Sequence, residues 1–279
     1  MADGYREPMP KTTADEWFER YLQDHGFDPG EHEPDLSSWG VQTQPDYLPT
    51  GDAGQIACEV KQFGRDSKLA KRLAEQSYVA ASDAEVYGPI RNQVAEAASQ
   101  LKPLAPRQIP LVVVLANPAG APVDLSFEHV IAALYGNTQW TVAIDPSTGG
   151  AVDEGRFELG RDGKLTNDHA YLSAVVLLRR RELAHDARDE ILAELRERYD
   201  GEAKTAEERQ ERAVAAIEEL ERHDLPDGHY FYVEVIEALS ELAVPLPEAW
   251  FAGERDRRWR CNSAGYYEMV HGSLTPGEH

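Results

Sequence analysis

The chain has 279 residues, 42% of them hydrophobic, and carries a formal net charge of −22 at pH 7. That length supports one large domain or two modest ones with a sizeable core. The charge argues against any broad polyanion-binding surface, because proteins that grip nucleic acid show a basic footprint, although it leaves room for a local basic cleft. The acids are unevenly spread: residues 1–118 are net −7 and residues 119–279 net −15. Cys58 and Cys261, the two cysteines, make neither a disulfide framework nor a zinc cluster and suit a reducing cytoplasm. No run approaches the ~18 consecutive apolar residues of a membrane span, and the opening "MADGYREPMPKTTADEW" has no basic segment followed by an apolar core, so no secretion signal is expected.

Residues 13–27 read as a helix. Thr13 is its candidate N-cap, Trp17, Tyr21 and Leu22 fall on one side, and Gly26 sits at the stop position. Residues 28–40, rich in Pro, Gly, Asp and Ser, read as a loop. "VQTQPDYLP" (41–49) and "QIACEVKQF" (55–63) are strand candidates around the turn "TGDAG", a predicted hairpin. Polar residues 64–87 suggest a helical excursion. In 88–104 Ile90, Val94, Ala97 and Leu101 form an apolar stripe behind Pro89 at a first-turn position. "IPLVVVLANP" (109–118) reads as a fully buried strand.

Further on, 139–145, 155–160 and 170–178 are strand candidates, with a helix over 129–136. From Arg179 the chain turns dense in Glu, Arg and Ala. Residues 182–223 read as two helices broken near Asp200-Gly201, and 230–242 as helix or strand. A soft boundary falls near 181. The acidic 182–223 segment is expected to be a solvent-exposed helical hairpin facing away from any nucleic acid. It is also where a homodimer or a protein partner would dock.

The chemistry concentrates at residues 45–61. In a strand, residues i and i+2 share a face, so Glu59 and Lys61 project together while Cys58 and Val60 point the other way. A hairpin across "TGDAG" brings Asp46 beside Glu59. Two carboxylates and a nearby backbone carbonyl make an all-oxygen site of the kind Mg²⁺ takes. A lysine beside it can orient or deprotonate a water or neutralise developing negative charge. The plain alternative is a cross-strand ion pair on a solvated sheet face, worth ~0.2–1 kcal/mol.

Pro45-Asp46 followed by Glu59-Val60-Lys61 resembles the signature of the PD-(D/E)XK nuclease superfamily, which includes many restriction endonucleases and Holliday-junction resolvases. The resemblance covers roughly the first 40% of the chain. It implies an α/β fold with a restriction-endonuclease-like core (helix, three-stranded hairpin sheet, helix, strand), here over residues 1–181 with a β-rich extension, ahead of a mainly helical 182–279. The first of the three strands would have to come from residues 28–41. It also implies hydrolysis of DNA phosphodiesters with Mg²⁺ or Mn²⁺, as in restriction, repair or phage defence. Asp46, Glu59 and the Val60 carbonyl would hold the metal, Lys61 would serve the water, and Glu16 from the first helix would support them, with Glu19 as substitute. Lys68, Lys71, Arg72 and Gln93 are the expected nucleic-acid contacts. Gln93 shares a helix face with Gln100, but the Gln-x-x-x-Tyr pattern of some members is absent, since Ala97 stands where the tyrosine would be.

Two other acid-x-Lys triplets, Asp162-Gly-Lys164 and Glu202-Ala-Lys204, have no Pro-Asp partner upstream, so context separates "IACEVKQF" from them. Arg179-Arg180-Arg181 reads equally as a phosphate clamp and as a helix start paired with Glu182 and Asp186. Trp259, Tyr266 and Tyr267 read as core aromatics or as platforms for bases. The histidines show no ligand spacing, and there is no phosphate-binding glycine loop or serine-hydrolase elbow. The rival to a nuclease is a catalytically inactive protein on the same fold, acting as a protein-interaction or assembly module.

Overall fold

A computed structural model describes residues 10–41, 43–65, 68–75, 81–136, 139–141, 147–148, 150, 156–158, 168–199, 205–220, 222–262 and 267–272. The triplets at 162–164 and 202–204, Asp200-Gly201, Tyr266 and most of the strands expected over 139–145 and 155–160 lie outside the described residues. The chain divides into two units. One comprises Met1–Arg179 and Val233–Gly272, the other Arg180–Tyr232 and Ser273–His279.

The first helix, α1 (Thr13–Asp24), is capped by Thr12 rather than Thr13. The Thr12 hydroxyl accepts from the Asp15 amide while the Asp15 carboxylate accepts from the Thr12 amide, a reciprocal box that satisfies two otherwise orphaned donors. Its buried residues are Ala14, Asp15, Phe18, Tyr21 and Leu22. Gly26, at φ +77°, ends it in the left-handed conformation that a Cβ would strain.

The predicted hairpin survives in outline only. β1 (Thr50–Gly51) pairs with β2 (Gly54–Gln55), and upstream a single antiparallel bridge joins Tyr47 to Cys58. Pro45 and Pro49 carry no amide hydrogen, so 41–49 cannot sustain a ladder. Residues 28–41 supply one bridge, Asp28 to Thr50, and a 3₁₀ turn over Ser37–Trp39, instead of a full strand.

β3 (Ala57–Gln62) is the edge of a six-stranded sheet. After α2 (Lys68–Glu75), α3 (Asp83–Leu101) carries the chain to β4 (Leu111–Ala116), which pairs parallel with β3, Glu59 level with Val113. α3 starts five residues before the expected Gly88. Ser82 and Glu85 form a second capping box, and Pro89 lies inside the helix. α4 (Phe127–Tyr135), β5 (Gln139–Thr141) and β6 (Arg156–Glu158) follow, the last two paired antiparallel. β7 (Ala174–Glu182) pairs parallel with β4.

Residues 182–279 are not mainly helical. α5 (Leu183–Tyr199) and α6 (Ala206–Leu220) are followed by β8 (His229–Glu237), β9 (Arg257–Cys261) and β10 (Tyr267–His271). "HYFYVEVIE" is aromatic and β-branched, a composition that favours a pleated, half-buried surface over a helix. The sheet order is β10-β9-β8-β7-β4-β3, with β8 and β9 parallel and β9 and β10 antiparallel. The fold is mixed α/β around this mostly parallel sheet.

One face of the sheet packs on α3. Ala57, Phe63, Val113, Leu115, Val175 and Leu177 form a cluster with Ile90, Val94, Ala97 and Leu101. The opposite face of β3 meets α1, where the Ala14 amide donates to Gln62 Oε1 at 3.0 Å. Burying such a layer contributes roughly 25 cal/mol per Å² of apolar surface.

Candidate active site

β3 alternates between these two faces. Odd residues, Glu59 and Lys61 among them, share the α3 side with Ala57 and Phe63. Even residues hydrogen-bond along the outer rim, as the exchange between Cys58 and Tyr47 shows (2.9 and 3.1 Å). The Tyr47–Cys58 bridge sets Asp46 level with Glu59, the register expected of the hairpin. Asp46 does not pair with Glu59 directly. Its Oδ2 accepts from the Val60 amide at 2.7 Å. The N–H and C=O of one strand residue point to the same side, so the Val60 carbonyl faces the rim that Asp46 occupies.

Glu59 is 1% exposed. Its Oε1 lies 3.1 Å from Lys61 Nζ, while Oε2 is buried without a hydrogen-bond partner among the described residues. The Asp46 amide is near enough to favour the carboxylate but does not reach hydrogen-bond geometry. Lys61 Nζ is held a second and third time from α3, by Glu96 Oε1 at 3.1 Å and by Gln100 Oε1 at 2.7 Å. Glu96 and Gln100 are one helical turn apart, so both face the lysine.

These contacts set the protonation states. Burial, then the Asp46 charge, pushes the Glu59 carboxyl up to about 8, against the opposing pull of Lys61. Burial also raises Asp46, partly offset by its bond from the Val60 amide. Burial pulls the Lys61 ammonium down, but Glu59 and Glu96 outweigh it and leave the group above its ordinary value. Lys61 is therefore a cation at neutral pH. As a cation it can orient a water or stabilise developing negative charge.

Other expected residues are placed differently. Glu16 is exposed on α1, whereas Asp15 is buried and both Asp15 and Glu19 act on the Tyr47 hydroxyl. The helix acids turned toward the site are thus Asp15 and the substitute Glu19, because Ala14, Phe18 and Leu22 define the buried side. Lys68 opens α2, and its side chain lies outside the described residues. Lys71 is exposed, and Arg72 pairs with Glu85. Gln93 is half-buried one turn before the Ala97 core position, and no contact with Lys61 is seen. Gln100 makes that contact.

Arg179, Arg180 and Arg181 lie on β7 instead of starting a helix. They pair with Glu234, Glu182 and Asp186 with Asp189, respectively. Trp259 stacks on Phe127 at 4.0 Å, and Tyr267 donates to the Glu237 carbonyl at 2.8 Å, so both are structural. Sequence reasoning missed Asp15, Glu96 and Gln62. For Glu96 the signal was its spacing to Gln100 on the face of α3 turned to a strand that carries a lysine.

Among the described residues no three Asp, Glu, His or Cys side chains gather as a metal-binding group. An ion here would rest on two carboxylates, the Val60 carbonyl and waters. The donor chemistry fits a hard cation that keeps several waters, and the unpartnered Glu59 Oε2 is the group such an ion would satisfy. Among the described residues no helix is long and apolar enough to cross a membrane. Comparison with family models, curated proteins and solved structures finds no match to this chain.

Proposed function

We propose that the protein is a metal-dependent nuclease that hydrolyses DNA phosphodiester bonds at the rim of β3. The observation that carries this reading is the convergence of Asp46, buried Glu59 and triply held Lys61 around Val60, one acid oxygen buried with no partner. A core of helix, hairpin remnant, helix and parallel strand agrees with the PD-(D/E)XK resemblance. Asp46, Glu59 and the Val60 carbonyl would hold Mg²⁺ or Mn²⁺, which supplies an activated water and charge stabilisation at phosphorus. Lys61, fixed by Glu96 and Gln100, orients the water and meets the negative charge that develops. Glu59 must be ionised to serve a metal, so metal binding there releases a proton and strengthens as pH rises.

The test is cleavage of plasmid and linear duplex DNA with Mg²⁺ or Mn²⁺, beside the Lys61→Ala protein. The expected outcome is metal-dependent cutting that falls by at least ~100-fold in the variant. Wild-type protein that neither cuts nor binds metal in calorimetry refutes the reading.

A second reading has its own support. Arg72, Arg179, Arg180 and Arg181 are all paired with acids, leaving them poorly placed to hold a phosphate backbone. On that reading the protein is an inactive module of the same fold that binds another protein. Absence of both metal binding at Asp46 and Glu59 and salt-sensitive affinity for DNA would favour it.

A further inference from the structure

Residues 97–123 contain no Asp or Glu, although the chain has 50 of them among 279 residues. Buried β4 accounts for part of that stretch. The rest includes the 3₁₀ turn Lys102–Arg107, which follows α3 directly and leaves Lys102, Pro103, Pro106 and Arg107 exposed. On a chain of net charge −22, an exposed turn with two bases and no acid is a local reversal of sign.

Neither base is neutralised. Among the described residues Lys102 and Arg107 have no carboxylate partner, whereas Arg72, Arg179, Arg180 and Arg181 are each paired with one. Arg107 is held by neutral groups instead. It donates to the Trp39 carbonyl, and its guanidinium lies 5.3 Å from the centre of the Trp39 ring, which packs against the core. Asp35, in the same loop as Trp39, is turned to the Ser37 amide and hydroxyl at 2.8 and 3.1 Å. The turn is stiff, because Pro103 and Pro106 restrict its backbone and Leu104 anchors it in the core.

This turn borders the candidate site at both ends. Before it, Gln100 accepts from Lys61 Nζ at 2.7 Å. After it, the Pro110 carbonyl accepts at 2.9 Å from the amide of Ala57, which opens β3. Ala57 to Val60 is about 10 Å at 3.3 Å per residue, the rise of about three nucleotides of one strand. A DNA strand cut at Val60 and running along β3 therefore carries its flanking phosphates past the turn. At physiological salt fields decay over about 8 Å, so those phosphates meet Lys102 and Arg107 and are screened from the distant acids.

We propose that Lys102 and Arg107 hold the phosphate backbone of duplex DNA beside the cut. This rests on the nuclease reading above. Arg107, already set on Trp39, loses little side-chain freedom when it binds a phosphate, and Lys102 adds a point charge. Contacts of this kind place the duplex over the site without reading its sequence.

The test measures duplex binding by fluorescence anisotropy between about 50 and 200 mM salt, with Mn²⁺, in Lys61→Ala protein so that cutting does not intervene. Adding Lys102→Ala and Arg107→Ala together is expected to shrink the slope of log affinity against log salt by about 2 and to weaken binding at the lower salt about tenfold or more. With Lys61 intact, the same pair should raise the DNA concentration for half-maximal cleavage and change the rate at saturating DNA by less than about twofold. Lys102→Ala alone should give about half the change in slope, and it stands in if the pair does not fold. A slope that neither variant changes, or a loss confined to the rate at saturating DNA, overturns the assignment while leaving the nuclease reading intact. Protein that neither binds duplex nor, with Lys61 intact, cuts it overturns both.

Discussion

Two clusters of acids and bases in the sheet-bearing unit are settled in opposite ways. On β8 and β9, Glu234 is bound by Arg179 and Arg257, and Glu237 by Arg258 and Arg260. Each of these carboxylates meets two guanidinium groups, and Arg258 also donates to the Leu246 carbonyl at 3.0 Å. On β3, Glu59 shares one lysine with Glu96, sits beside a second acid and keeps one oxygen unpartnered. In the first cluster no carboxylate is short of positive charge, and it reads as architecture. The second is short of positive charge inside a low-dielectric site, which is how a fold prepares a place for a cation.

The largest effect separating the two is on stability. Glu234→Ala removes the buried carboxylate that both Arg179 and Arg257 meet, the latter 8% exposed at its side chain. It is expected to cost about 3–5 kcal/mol in urea unfolding. A loss below ~1 kcal/mol would mean that the arginine network is not what holds β8 and β9. Next comes pH. Glu59 titrates near 8 when folded and near 4.3 when unfolded. Between those values the folded state binds the extra proton, so stability falls as pH rises from ~5 to ~8, by on the order of a few kcal/mol. Glu59→Gln should flatten that slope, and an unchanged slope would place the titration elsewhere. Smallest is Gln100→Ala, which removes one hydrogen bond to Lys61. About 1 kcal/mol of stability and a several-fold loss in cleavage rate at unchanged KM are expected. A change in KM alone would make Gln100 a substrate contact.

What the sequence disclosed follows from the range of the interactions involved. Glu59 and Lys61 were legible because strand alternation is local, and the two-residue turn in "TGDAG" fixed the register that brings Asp46 level with Glu59. The expectation of Glu16, with Glu19 as substitute, passed over Asp15 on a local point: Trp17 was given weight in the apolar stripe, while Ala14 and Phe18 set the buried side. The start of α3 was also legible in principle, since Ser82 and Glu85 have capping-box spacing that Pro89 obscured. The charge pairing of 230–242 was not, although its aromatic, β-branched composition favours a strand. Glu234 and Glu237 look like helix-surface acids until β9 brings arginines to them from more than twenty residues away, a pairing no local pattern encodes.

The most direct test of an under-compensated site at β3 is thermal unfolding of wild type and Glu59→Gln at pH 8, with and without Mn²⁺. Without metal the variant should melt higher, since it removes a buried charge that Lys61 compensates only in part. Adding Mn²⁺ should raise the Tm of wild type and leave the variant unmoved. A variant that melts lower, with Mn²⁺ shifting neither protein, would mean that Glu59 and Lys61 form an ordinary structural ion pair and that the rim of β3 holds no cation.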